Sequence, residues 1–66
     1  MKVVANGETV ELADGAGLLQ LFDALGVGAK WVVAEVNGEA IPRSEMGGVV
    51  LHPGDRVELV RAVAGG

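Results

Sequence analysis

Alternating and helically spaced apolar positions divide the chain into short segments. Val3 and Val4 lead into Asn6–Gly7, a pair that tolerates positive φ at both residues and so favours a tight hairpin turn. Thr9 to Leu12 alternates polar and apolar, with Val10 and Leu12 on one face, so residues 2–12 predict a β-hairpin. The stretch from Ala13 to Gly17 breaks the strand. Leu18, Leu21, Phe22 and Leu25 then recur at i, i+3, i+4 and i+7, the stripe of an amphipathic helix. Gly26 suits a left-handed C-terminal cap, whereas Asp14 and Gly17 are imperfect candidates for the start. Residues 30–38 form a β-branched run that ends at Asn37–Gly38, with Val32, Ala34 and Val36 on one face and Trp31, Val33 and Glu35 on the other. Residues 39–48 predict a loop with one helical turn after Pro42, and 49–51 a short strand. His52 to Asp55 predicts a turn, followed by a last strand from Arg56 to Val63. There Val57, Leu59 and Val63 face one way, and Glu58, Val60 and Ala62 the other.

A single helix can cover only one face of a sheet. The expected architecture is therefore α+β, a mixed sheet of four to five strands with one helix packed on one face. A crossover through the helix would set the strand at 30–37 parallel to a hairpin strand. Hairpin, crossover helix and a returning hairpin is the order of the β-grasp, or ubiquitin-like, fold. Residues 1–63 make one such domain and 64–66 a flexible Gly-Gly tail.

Composition removes several classes of function. There is no cysteine, so a disulfide frame, a thiolate metal site and a thiol nucleophile are all absent. The net charge is −4 and the five basic residues are scattered, which argues against a nucleic-acid footprint. No apolar stretch approaches the roughly 20 residues that span a bilayer, and the N-terminus has no signal-peptide pattern, so the expected location is cytoplasmic. His52 is the only histidine and Ser44 the only serine; a Ser44–His52–Asp55 relay in so small a domain has little pocket to hold it. The dispersed glutamates read as solvated faces, and Trp31 as a packing residue. The chain is expected to be neither an enzyme nor a metal protein.

The chemistry that remains sits at the end of the chain. Ala64, Gly65 and Gly66 make a narrow tail whose carboxylate is the only reactive group at its tip. Glycines lack Cβ atoms and so can enter a thin channel on a partner. Val60, Arg61 and Ala62, on the strand leading to the tail, are the candidate docking residues.

Ala34, Asn37, Ile41, Pro42 and Arg43, then Gly54–Asp55 and the terminal Gly65–Gly66, resemble the ThiS family of ubiquitin-like sulfur carriers across essentially all 66 residues. Two departures stand out. Met46 occupies the place where the family commonly has Trp, and no Thr caps the helix start. The resemblance implies that an E1-like enzyme adenylates the Gly66 carboxylate with ATP and magnesium, and that the chain itself holds no cofactor. A cysteine-desulfurase relay would then supply sulfur, leaving a thiocarboxylate that serves thiazole synthase in thiamine biosynthesis. The same tail chemistry would suit the small subunit of molybdopterin synthase, a tRNA-thiolation carrier or a protein modifier; the Pro42–Arg43 pair tells against the first. A β-grasp interaction module without tail chemistry is the alternative from another class.

Overall fold

The computed structural model describes residues 1–61, apart from the side chain of Trp31. Its elements are β1 (Lys2–Ala5), β2 (Glu8–Glu11), α1 (Leu18–Leu25), β3 (Val32–Val36), β4 (Glu39–Ile41) and β5 (Arg56–Arg61). Short 3₁₀ helices lie at Ala29–Trp31 and Arg43–Gly48. The strands form one sheet in the order β2-β1-β5-β3-β4. β1 and β5 run parallel, and every other neighbouring pair is antiparallel.

Alternation along the strands places one set of side chains under α1. Val3 and Ala5 of β1, Val32 and Ala34 of β3 and Val57 of β5 are buried there against Leu18, Leu21 and Phe22 of the helix. Met46 and Leu51 close the layer from the connection between β4 and β5. Met46 is only 3% exposed, so the thioether does fill an apolar gap in the core.

Both ends of α1 follow from local chemistry. At the C-terminus Gly26 sits at φ 70°, its N–H donates to the Asp23 carbonyl at 3.1 Å, and the Val27 N–H donates to the Phe22 carbonyl at 2.9 Å. This pair of bonds is a Schellman cap. At the N-terminus Gly17 is the cap, and its N–H donates to Gln20 Oε1 at 2.8 Å. A Cβ at residue 17 would lie 2.6 Å from the Val49 carbonyl oxygen, which explains why no threonine stands there. The close approach arises because the Leu18 N–H donates to that same carbonyl and the Leu51 N–H donates to the Ala16 carbonyl.

Four expectations need correction. Residues 49–51 do not add a strand to the sheet; Val50 makes a single bridge to Gly17 at the helix start. The additional strand is β4, within the expected loop, because Asn37–Gly38 at φ 51° and 84° turns the chain straight back along β3. Finally, β3 runs antiparallel to its partner β5, and the parallel partner of β1 is β5. The crossover from the hairpin is therefore completed by the last strand and not by the strand after the helix. The strand expected from residue 30 begins at Val32, after a 3₁₀ turn.

Candidate functional site

Ala62, Val63, Ala64, Gly65 and Gly66 lie outside the described residues, and with them the last two positions of the expected final strand. The strand from which they continue is described, and it lies at the centre of the sheet, paired on both sides. β5 is matched by β3 over five residues, from Val36↔Val57 to Val32↔Arg61. On its other side β1 matches only Arg56 and Val57 before the chain turns away at Asn6.

Side chains continue the ladder where the backbone stops. Asn6 accepts from the Leu59 N–H at 2.7 Å through Oδ1 and donates from Nδ2 to the Leu59 carbonyl at 3.2 Å. Its own N–H donates to the Val57 carbonyl at 2.9 Å. A carboxamide carries both an acceptor and donors, so Asn6 stands in for the next residue of a β1 that has ended. Asn37 repeats the device at the other end of β5. Its N–H donates to the Arg56 carbonyl at 2.7 Å, and its Oδ1 accepts from the Arg56 N–H at 2.9 Å. Its Nδ2 donates to Asp55 Oδ1 at 3.0 Å. Both asparagines have positive φ, 50° and 51°, and both open an Asn–Gly hairpin turn. The sequence identifies both turns, but nothing local reveals that each turn also grips the distant final strand.

The Asp55 carboxyl has a perturbed pKa. Burial pushes its carboxyl up, but the bonds from Asn37 Nδ2 and the His52 N–H, together with the nearby His52 imidazole, outweigh this and hold it below the ordinary carboxylate value. The His52 ring is exposed and lies 3.8 Å from Asp55. Among the described residues no hydrogen bond joins Ser44 to His52, so the imagined relay is not assembled. No cluster of His, Cys, Asp or Glu among the described residues could hold a metal ion, and no helix among them is long and apolar enough to cross a membrane.

The face of the sheet turned away from α1 carries an apolar pair beside the root of the tail. Val60 is 63% exposed and Val33 49% exposed, and they sit directly opposite each other. Two residues along, Glu35 and Glu58 also face each other, both exposed. Of the candidate docking residues, Val60 is exposed on the face turned away from α1. Arg61 does not share its face: it is in register with the buried Val32, on the helix side. The β3–β5 register, a tertiary fact that the sequence does not display, puts Val33 beside Val60.

A second feature lies next to this pair. Val32, Val33, Ala40, Ile41, Pro42, Arg43 and Met46 line a groove of about 460 Å³ at the outer edge of the sheet. It falls at the same end of β3 that meets Arg61.

The profile of the ThiS family matches residues 2–66 of the chain. Over all 66 residues the chain is 35% identical to a thiazole synthase of Paramagnetospirillum magneticum (strain ATCC 700264 / AMB-1), and it spans only 20% of that protein's length. The crystal structure of the thiamine biosynthesis protein ThiS from Geobacter metallireducens superposes with a TM-score of 0.83 at 30% identity, covering 100% of both chains. The solution structure of a thiamine biosynthesis protein from the same organism gives a TM-score of 0.79 at 33% identity, covering 100% of this chain and 88% of that one. The five-stranded mixed sheet with its single helix is the β-grasp fold, and the whole chain superposes on the Geobacter ThiS crystal structure.

Proposed function

The chain belongs to the ThiS family, and from that premise we propose that it is a sulfur carrier of thiamine biosynthesis which works through its C-terminal glycine. The observation that carries the reading is the family match to residue 66, through the Gly65–Gly66 tail. The chemistry is that of an activated carboxylate. In the first step a Gly66 carboxylate oxygen attacks the α-phosphorus of ATP on an E1-like enzyme, with magnesium neutralising phosphate charge, and pyrophosphate leaves. A persulfide sulfur from a desulfurase relay then attacks the acyl carbon and AMP leaves. A thiolate finally attacks the relay sulfur of this acyl disulfide, forming a new disulfide with the relay and releasing the electron pair of the broken sulfur–sulfur bond to the thiocarboxylate on Gly66. Thiazole synthase is the proposed acceptor, in keeping with the relative that bears that name.

The body of the protein contributes presentation. β5 gives the tail a firm root through the β3 ladder and the Asn6 and Asn37 bonds. Val60 and Val33 offer an apolar strip near the end of β5, where Arg61 is the last residue of the strand. With no cysteine anywhere in the chain, sulfur would be carried by the backbone terminus and not by a side chain.

Two measurements test the reading. ATP–pyrophosphate exchange by a cognate E1-like enzyme should require Gly66, and undiminished exchange after its deletion would sink the proposal. Intact-mass analysis after co-expression with the activating enzyme and the sulfur relay should show one terminal oxygen replaced by sulfur. Persistent absence of that species would favour an interaction module without tail chemistry.

A further inference from the structure

We propose that the edge groove between β3, β4 and the Arg43–Gly48 turn receives one bulky apolar side chain flanked by a carboxylate, presented by the thiazole-synthase acceptor; the inference rests on the sulfur-carrier reading. Its volume of about 460 Å³ lies in the range of small ligand sites, about 300–1,000 Å³, with room for one large side chain and part of its backbone. Val32, Ile41 and Met46 make the wall apolar, and a thioether adapts its shape to an incoming group.

The edge does not invite an added strand. β4 has only three residues, and Pro42, which follows it, has no N–H to offer a ladder. Recognition there must come from side chains. Arg43 is the one charged residue lining the groove, and it makes no ion pair or hydrogen bond among the described residues. In a chain of net charge −4, an unpaired guanidinium beside an apolar wall calls for a carboxylate, which its planar fork can hold with two parallel bonds.

The position of the groove links it to the tail. Val33 lines the groove and also stands opposite Val60, so the groove continues the apolar strip at the root of the tail. A partner that takes the tail along β5 can therefore reach the groove without crossing the charged Glu35–Glu58 rung. The acceptor is the partner to which the comparisons connect this sequence, since a thiazole synthase carries a matching segment over a fifth of its length.

The test uses the full chain with two exposed substitutions, Arg43→Glu and Ala40→Phe, the second obstructing the groove. Circular dichroism melts establish that both variants fold. Calorimetric binding to purified cognate thiazole synthase should weaken at least about tenfold in each, with Arg43→Lys recovering part of the loss. ATP–pyrophosphate exchange by the activating enzyme should stay within about twofold of wild type, as expected when distinct contacts carry the two encounters. Acceptor binding unchanged in both variants overturns the proposal. Losses in exchange as large as those in acceptor binding overturn it too, because the groove would then serve the activating enzyme. A wild-type chain that supports no exchange would count against the carrier reading, while the acceptor-binding arm would still decide the groove.

Discussion

Asn37 holds together three things that are separate in the chain: its own hairpin turn, the start of β5 and the Asp55 carboxylate. Two substitutions separate its roles. Asn37→Gly keeps the left-handed backbone but removes the amide bonds, and should cost about 1–2 kcal/mol; Asn37→Ala adds backbone strain and should cost about 3 kcal/mol. Urea denaturation measures both, and equal losses would mean that the turn needs no special conformation. Asp55 makes a pH prediction. Because its folded pKa is depressed, its contribution is fully present above the unfolded value near 4. That contribution is lost as pH falls through the lower folded value. The urea midpoint should therefore drop as pH falls below about 4, and Asp55→Asn should flatten that limb. The asparagine device was not legible in the sequence, because Asn6 and Leu59 are 53 residues apart and only the fold joins them. Gly17 was legible only as a missing cap; its reason is the carbonyl of Val49, again a tertiary neighbour.

Among the elements, α1 and its C-terminal end were legible, because a stripe at i, i+3, i+4 and i+7 and a glycine in the left-handed cap position agree; its start was left open between Asp14 and Gly17. The first hairpin was legible for the same kind of reason, a turn signal between two alternating runs. β4 escaped because three residues are too few to display a period, although Asn37–Gly38 is the same turn signal that marked the first hairpin. Strand direction escaped as well, since hydrophobic alternation is identical for parallel and antiparallel neighbours. Within the sheet, Glu35 and Glu58 oppose each other on the open face, and like charges placed directly opposite are unfavourable. Glu58→Lys should stabilise the sheet by about 0.2–1 kcal/mol at low salt, and the gain should shrink as salt is added. A urea midpoint that does not rise at low salt would show that the two carboxylates avoid each other.

At the scale of the molecule, stability and tail chemistry are separable. The buried residues are drawn from Val3 to Val57. Deleting Gly65 and Gly66 should leave the urea midpoint within about 0.5 kcal/mol of wild type while abolishing exchange, since changes away from the core and its special contacts have small effects. A large loss of stability would mean that the tail belongs to the folded body. The placement of β5 at the centre of the sheet has a mechanical consequence. A pull on the chain beyond Arg61 acts along the strand axis, whereas the ladder bonds to β3 lie across it. Such a load is shear: it is shared by the β3 rungs, the β1 rungs and the two asparagine clamps at once, and none of them can be peeled open singly. If the proposed function holds, an enzyme that pulls on the chain beyond Arg61 meets a body that behaves as a rigid handle.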